Sequence, residues 1–163
     1  YIRALRELTN IPLDIHLMVS NPSQWIEAFV FDNTEFITIH YESNDFEKAL
    51  NLIKKHHIKL GISIKPDTPV DVLIPFLKYA DLILIMTVEP GFGGQQFMKR
   101  MLDKVVALDV IRKESDLHFE IEIDGGVNDE TIEFAKKAGV DICVVGSYLF
   151  NLDQRNEEIL KLK

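Results

Sequence analysis

The stretch FEIEIDGGVNDETIEFAKKAG, residues 119–139, carries the pattern from which we predict the fold. Its first residues alternate apolar and acidic side chains, which is typical of a β-strand with one buried face. Asn128 then precedes a helical pattern as an N-cap, and Gly139 follows it where a left-handed C′ residue is favoured. The stretch therefore predicts one β/α unit.

Apolar runs of strand length recur along the 163 residues, and helical patterns lie between them. Strict alternation of strands and helices predicts a parallel sheet. No linker divides the chain, so we expect one domain, with either an open doubly wound sheet or a barrel. The predicted strands are Leu13–Val19, Phe36–Tyr41, Lys59–Lys65, Asp81–Val88, Phe119–Asp124 and Asp141–Gly146.

Helix-start signals precede several of the intervening stretches. Asn21-Pro22 predicts a helix over SQWIEAFVFDN, and Thr68-Pro69 predicts another that Pro75 kinks. Asn44 and Glu47 have the spacing of a capping box, although the usual cap of such a box is Ser or Thr. The remaining helices are predicted over residues 1–10, over residues 97–114 and at the charged C-terminus.

The two faces of the strands favour a barrel. In the first strand, Leu13, Ile15 and Leu17 share one face, whereas Asp14 and His16 share the other. Three further strands likewise set an apolar face against a mixed polar one. Strands of an open doubly wound sheet are covered by helices on both faces and are usually apolar throughout, whereas a barrel has a distinct interior.

Composition excludes some classes of function. There are 26 acidic and 18 basic residues, a net charge of −8, which argues against a general nucleic-acid binder. No apolar run is long enough to predict a membrane span. A single cysteine, Cys143, precludes an internal disulfide and is compatible with the cytoplasm, where we expect the protein to be.

Polar side chains collect at the carboxyl ends of the strands, where ligands bind in β/α folds. His16, His40, Glu42, Lys65 and Asp124 all point toward the predicted interior. Histidine with a carboxylate is an ordinary pair of divalent-metal ligands, so His16 and Asp124 are candidates. Glu42 and Glu89 are conceivable additions. A hydrogen-bonded polar layer without chemistry is the alternative interpretation.

Three glycine clusters follow strands: EPGFGGQQF at residues 89–97, DGGVN at residues 124–128, and Gly146-Ser147. Glycine lets the backbone approach a ligand and leaves N–H groups to bind phosphate oxygens. Each cluster alone is equally compatible with a tight turn. After the last strands of a barrel, however, such clusters match the common phosphate site of that architecture.

The chain resembles the ribulose-phosphate 3-epimerase family. The matching segments are LDIHLMVSNP, TIHYE, GISIKPDTP, MTVEPGFGGQQF, IEIDGGVN and VVGSYLF, and they occur in the family's order from residue 13 to residue 150. The resemblance implies a TIM (β/α)8 barrel of the ribulose-phosphate-binding type. It also implies an isomerase of the pentose phosphate pathway that interconverts D-ribulose 5-phosphate and D-xylulose 5-phosphate through a metal-stabilised enediolate with two aspartate acid/bases.

The resemblance also implies a set of site residues. Asp124 would be one catalytic acid/base, and His16 and Asp124 would bind one divalent metal ion, which is Zn, Fe, Mn or Co. His40 and Glu42 match a family motif, but we assign them no ligand role. The substrate-binding residues would be His16, Met18, Met86, Gly91, Phe92, Gly93, Gly94, Gly125, Gly126, Gly146 and Ser147.

One element of the family pattern is absent. The second aspartate belongs to a His-x-Asp motif, and no such motif occurs in this sequence. We therefore expect residues 1–163 to be a single β/α-barrel domain that lacks its first two strands, with about six of eight units present. We expect this chain alone to be inactive. Asp14 is no substitute, because it lies about 6–7 Å deeper along the strand than His16.

Two other functions remain open at the level of sequence. One is a related phosphoketose 3-epimerase, such as allulose 6-phosphate 3-epimerase, and the other is a noncatalytic phosphosugar-binding protein. A phosphate-binding barrel decarboxylase is disfavoured, because no Asp-x-Lys-x-x-Asp motif occurs. The expected partner is a small phosphosugar, with neither nucleic acid nor membrane. The oligomeric state is left open, a homo-oligomer included.

Overall fold

The computed structural model describes residue 4 and residues 8–162. Six parallel strands form one sheet in which each strand pairs with the next along the chain, in the order β1-β2-β3-β4-β5-β6. The sheet curls into a half-barrel, which confirms the predicted β/α architecture. The strands are β1 Leu13–Leu17, β2 Thr34–His40, β3 Lys59–Ile64, β4 Leu82–Met86, β5 Glu120–Asp124 and β6 Ile142–Val144.

The pairing register separates the two faces of the sheet as the alternation predicts. Ile37, Ile62 and Ile85 belong to the large apolar core between the sheet and its helices. A second, smaller apolar cluster lies on the concave face and contains Leu84 and Met86. The concave face also carries buried polar side chains, namely Thr38, His40, Ser63 and Glu122.

The helices cover the convex face. The helix after β5 begins at Thr131 with Glu130 at its N-cap, and Oδ1 of Asn128, two residues earlier, accepts the N–H groups of Glu130 and Thr131 at 3.0 and 2.9 Å. Gly139 ends that helix with a φ of 92°, which confirms the predicted left-handed C-terminal residue, whereas the N-cap lies two residues after the predicted Asn128. The helices are α1 Phe46–Lys55, α2 Leu102–Glu114, α3 Thr131–Ala138, α4 Ser147–Phe150 and α5 Arg155–Leu162.

Two segments that were predicted to be helices do not form α-helices. The segment after Asn21 forms two short 3-10 turns, at Pro22–Gln24 and Ile26–Phe29. Asn21 makes no capping bond there, and the β-branched and aromatic residues that follow have poor helix propensity. The segment after Thr68 forms 3-10 turns at Val70–Leu73 and Leu77–Tyr79, and Pro75, which has no N–H to donate, separates them.

The predicted capping box is also wrong. Helix α1 begins at Phe46 with Asp45 at the N-cap, and the Asn44 amide contacts Asn21 at 3.5 Å instead. The helix predicted from residue 97 is α-helical only from Leu102, after a 3-10 turn. The helix predicted over residues 1–10 lies largely outside the described residues. No described helix is both long enough and apolar enough to cross a membrane.

Candidate active site

The carboxyl ends of β4, β5 and β6 surround a cavity of about 290 Å³. The described residues that line it include no Lys or Arg, so a phosphate there would be bound by backbone N–H groups. Of the predicted substrate-binding residues, all but His16 line it. They are Met18, Met86, Gly91, Phe92, Gly93, Gly94, Gly125, Gly126, Gly146 and Ser147, and the predicted catalytic residue Asp124 lies among them.

Close packing of the loops explains why the two residues that follow β5 are glycines. Gly126 has a φ of 67°, and a Cβ there would lie 2.6 Å from the backbone nitrogen of Phe97. A Cβ on Gly125 would lie 2.4 Å from a methyl group of Val88. The loop after β5 therefore packs directly against the loop after β4, which brings two of the three glycine clusters to one cavity.

Two residues that the sequence analysis missed hold these loops. Thr87 is fully buried, its hydroxyl donates to the carbonyl of Gly125 at 2.7 Å, and its own carbonyl accepts the N–H of Met98 at 2.8 Å. The side-chain amide of Gln95 donates to the carbonyls of Glu89 and Phe92 at 2.6 and 2.8 Å. Neither role had a sequence signal beyond the polar type of the residue.

His16 does not line the cavity, but its Nδ1 lies 3.8 Å from Oδ2 of Asp124. This distance is too long for a hydrogen bond, and His16 Nδ1 is buried without a partner among the described residues. In a tetrahedral zinc site two ligand atoms lie about 3.3–3.5 Å apart, so the separation of this pair is a few tenths of an ångström longer than ideal and would have to shorten for the two atoms to bind one such ion. The described residues hold no group of three or more His, Cys, Asp or Glu side chains arranged for a metal.

Behind His16, a chain of contacts crosses the concave face from β1 to β3. Nε2 of His16 lies 2.9 Å from Nε2 of His40, and Nδ1 of His40 lies 3.4 Å from Oε2 of Glu42. The other carboxylate oxygen of Glu42 accepts the N–H of Lys65, at 2.9 Å, and the hydroxyl of Thr68. Glu42 therefore faces His40 and the loop after β3, and it does not join His16 and Asp124.

The electrostatics distinguish two carboxylates on this face. Burial alone would raise the pKa of Glu42, but the nearby His40 ring and the hydrogen bonds from Thr68 and the Lys65 N–H outweigh it and lower the pKa to about 2. Burial raises the pKa of Glu122 to about 9, and Asp14 beside it adds to the rise. Glu42 is therefore ionised at neutral pH, whereas Glu122 favours its neutral form. Asp14 is exposed and lies beside Glu122, two residues before His16 along β1.

Parallel strands curled into a half-barrel, with a site at their carboxyl ends, define a β/α-barrel protein of the TIM type. Solved structures agree. 3-Hexulose-6-phosphate synthase from Salmonella typhimurium matches 99% of this chain and 76% of its own, with a TM-score of 0.68 at 15% identity. A mutant tryptophan synthase α-subunit from Pyrococcus furiosus matches 98% of this chain and 67% of its own, with a TM-score of 0.66 at 16% identity. At such identities these matches show the fold alone.

Sequence comparison defines the family. The model of the ribulose-phosphate 3 epimerase family matches residues 1–150, and the chain belongs to that family. Ribulose-phosphate 3-epimerase from Eremothecium gossypii is 43% identical over 152 residues, which are 92% of this chain and 62% of that protein. The Treponema pallidum enzyme is 42% identical over 151 residues, 92% of this chain and 69% of that protein. The chain thus spans about two thirds of these relatives.

Proposed function

We propose that the protein is a ribulose-phosphate 3-epimerase, an isomerase that interconverts D-ribulose 5-phosphate and D-xylulose 5-phosphate. One observation carries the proposal: Asp124 lies on the wall of the cavity that the three glycine clusters line, with His16 3.8 Å away. This reaction needs a carboxylate to move the proton, a pair of metal ligands, and loops that bind the phosphate. Membership of the family supports the same assignment.

Asp124 would act as an acid/base on one face of the substrate. The C3–H bond next to the ketone breaks, its proton passes to a carboxylate, and its electron pair enters a planar enediolate. A second acid/base then returns a proton to the opposite face of C3, which inverts the centre. In the family that second group is the aspartate of a His-x-Asp motif, which these 163 residues do not contain.

His16 and Asp124 would hold one divalent metal ion, which is Zn, Fe, Mn or Co. When bound, such an ion supplies Lewis-acid stabilisation of the negative charge that develops on the substrate oxygens. Mixed histidine and carboxylate ligation is compatible with each of these metals. The buried Nδ1 of His16, which has no partner among the described residues, supports this proposal.

The glycine clusters would bind the phosphate and the sugar. The loops after β4, β5 and β6 line the cavity, and their backbone N–H groups would attract an anion without a basic side chain. This arrangement suits a protein with a net charge of −8. Met18 and Met86 would line the apolar wall next to the reacting carbons. The phosphate contact would hold C3 in register with Asp124.

The cellular setting is part of the same proposal. We place the reaction in the pentose phosphate pathway of the cytoplasm, with a small phosphosugar as the only partner that the site requires. Comparing the turnover of D-ribulose 5-phosphate and allulose 6-phosphate by the intact protein would identify its preferred substrate.

Substitution Asp124→Asn tests the catalytic role. The variant keeps the size of the side chain but removes the base, so exchange of the C3 proton of ribulose 5-phosphate with solvent should fall by about 10²–10⁴-fold or more. Incorporation of deuterium at C3 in D2O, followed by NMR in the intact protein, measures this exchange. The circular dichroism spectrum should match that of the unsubstituted protein.

Asp116→Asn is the matched control, because Asp116 is 97% exposed in the turn before β5, at the opposite end of that strand. It should exchange the C3 proton at the unsubstituted rate. Exchange by Asp124→Asn within a few-fold of that rate would refute the assignment of Asp124. Retained phosphosugar binding without exchange in the unsubstituted intact protein would instead favour a noncatalytic binding protein.

A further inference from the structure

The tautomer of His16 decides whether this residue can bind a cation beside Asp124. A neutral imidazole carries one N–H, and only the other nitrogen has a lone pair for a metal. Nε2 of His16 faces Nε2 of His40 at 2.9 Å, so a single hydrogen lies between the two rings. The ring that supplies this hydrogen fixes the state of both outer nitrogens, Nδ1 of His16 and Nδ1 of His40.

In one arrangement His16 is the donor. His40 then accepts at Nε2 and carries its own hydrogen on Nδ1, which faces Oε2 of Glu42 at 3.4 Å. In the other arrangement His40 is the donor, and its Nδ1 turns a lone pair toward the carboxylate. His40 is 5% exposed, and Nδ1 of His40 and Oε2 of Glu42 are both buried with no hydrogen-bond partner among the described residues, so water cannot screen that repulsion.

Glu42 cannot turn away from His40. Its Oε1 accepts the N–H of Lys65 and the hydroxyl of Thr68, which hold the carboxylate against the loop after β3. Asp124, at the other end of the chain of contacts, has no such restraint from the described residues and is one quarter exposed. The anchored carboxylate therefore has the stronger influence on where the hydrogen lies, since the Asp124 contact is also longer, at 3.8 Å.

We propose that Glu42 and His40 are positioning residues that lock His16 in its Nε2–H tautomer and thereby present the Nδ1 lone pair to the site beside Asp124. Histidines that bind metals commonly donate their second ring N–H to an acceptor, and here the acceptor is itself oriented by a carboxylate. That the Nδ1 lone pair serves to bind a metal rests on the proposed function. The tautomer itself does not depend on it.

The substitution Glu42→Gln tests this positioning role, because it should reverse the tautomers of both His40 and His16. The N–H of Lys65 and the hydroxyl of Thr68 both donate, so they select the oxygen of the new amide. Its NH2 group then faces His40 and donates to Nδ1. His40 must consequently carry its hydrogen on Nε2, and His16 must carry its hydrogen on Nδ1. The variant should therefore convert His16 from predominantly Nε2–H to predominantly Nδ1–H.

Long-range ¹H–¹⁵N NMR of the histidine rings reads these tautomers in the metal-free chain, with no substrate present. We expect Nε2–H for His16 in the unsubstituted protein and Nδ1–H in Glu42→Gln. An Nδ1–H tautomer in the unsubstituted protein would overturn the proposal, and so would the same tautomer in both proteins. The unsubstituted measurement remains decisive if Glu42→Gln fails to fold.

Glu27→Gln is the matched control. It removes another carboxylate next to a histidine, because Oε1 of Glu27 lies 2.9 Å from Nε2 of His56, on the protein surface. It should change the signals of His56 and leave those of His16 and His40 unaltered. A change in the ring signals of His16 in this control would show that the NMR difference reports a general loss of negative charge. It would count against the positioning role of Glu42.

Calorimetric titration of the intact protein and of its Glu42→Gln variant with Zn²⁺ alone adds a second readout. Loss of an orienting partner typically weakens metal binding by about 10–100-fold, so Glu42→Gln should bind Zn²⁺ more weakly by that factor. Equal Zn²⁺ affinity in both folded proteins would contradict the positioning role. If neither protein bound Zn²⁺, the metal site of the proposed function would be wrong, and the NMR result would still decide the tautomer.

Discussion

At the scale of single residues, the concave face of the sheet explains why some side chains must be small. Thr38 and Gly61 are direct neighbours in the register of β2 and β3, and Thr38 is fully buried. A Cβ on Gly61 would lie 2.0 Å from Oγ1 of Thr38, far inside contact distance. The glycine therefore allows the Thr38 side chain to occupy the interior at this level of the half-barrel.

Gly61→Ala should consequently destabilise the protein. Overpacking of this kind costs about 1–3 kcal/mol, and chemical denaturation measures the free energy of unfolding. Gly93→Ala is the matched control, because a Cβ there meets no atom within 4 Å, and its effect should be within about 0.5 kcal/mol. Adding Thr38→Ala to Gly61→Ala should recover part of the loss. An unfolding free energy for Gly61→Ala equal to that of the control would contradict the steric explanation.

At the scale of elements, helix α2 supports the site without touching it. Nζ of Lys104 donates to the carbonyls of Lys65, Pro66 and Thr68 at 3.0, 2.7 and 2.6 Å. The same loop supplies the two donors that hold Glu42. A lysine on the outer helix thus fixes the loop after β3, and the loop fixes the carboxylate that faces His40.

Lys104→Met should loosen this loop. It keeps much of the apolar stem but removes three charge-assisted hydrogen bonds, and we expect a loss of about 1–3 kcal/mol in the free energy of unfolding. Amide hydrogen exchange at Lys65 should accelerate, because its N–H is the one held by Glu42. Lys137→Met, at an exposed position on α3, serves as control. Equal exchange rates at Lys65 in both variants would show that Lys104 does not order the loop.

At the scale of the whole molecule, Glu42 makes folding depend on pH. Its pKa is about 2 in the folded state, below the ordinary value of 4.5. A carboxyl group with a lowered pKa contributes stability above its unfolded pKa and loses it as the pH falls toward the folded pKa. This contribution should be fully present at pH 7 and should decline between pH 4.5 and pH 2.

Urea unfolding of the original protein and of Glu42→Gln across this pH range measures the effect. The stability advantage of the original protein should be largest near neutral pH and should shrink as the pH falls below 4.5. Glu47→Gln, which removes an exposed carboxylate from α1, controls for the change in net charge. An advantage that stays constant down to pH 3 would mean that the contacts from His40, Lys65 and Thr68 do not stabilise ionised Glu42.

Much of the fold was predictable because its signals are local. Every predicted strand overlaps an observed one, since four of the six alternate apolar and polar residues and the other two, β4 and β6, lie in short apolar runs. The end of the helix after β5 was predicted at Gly139, whereas its N-cap was predicted two residues early, because Asn128 binds N–H groups at the helix start without being the N-cap residue. The helices predicted after Asn21 and Thr68 were wrong, because a start signal cannot compensate for poor helix formers or for Pro75.

The candidate site was predictable only in part. His16 and Asp124 were expected at one mouth of the barrel, since parallel strands end at the same edge, and the structure does bring them together. The orienting contacts of Thr87, Gln95 and Lys104 were not expected. Thr87 and Lys104 reach backbone carbonyls in other loops, and Gln95 reaches two carbonyls within its own loop, so the carbonyl that each meets depends on how the loops fold and pack.

The sequence by itself determined the β/α alternation, the polar concave face, the glycine clusters and the family resemblance, because these are properties of periodicity and of residue type. The tertiary structure alone decided that His16 meets His40 across 24 positions of the chain and that Glu42 is held by Thr68 across 26. Hydrogen bonds of this kind need angstrom-level registration between strands and loops. That registration comes from packing, and no local pattern encodes it.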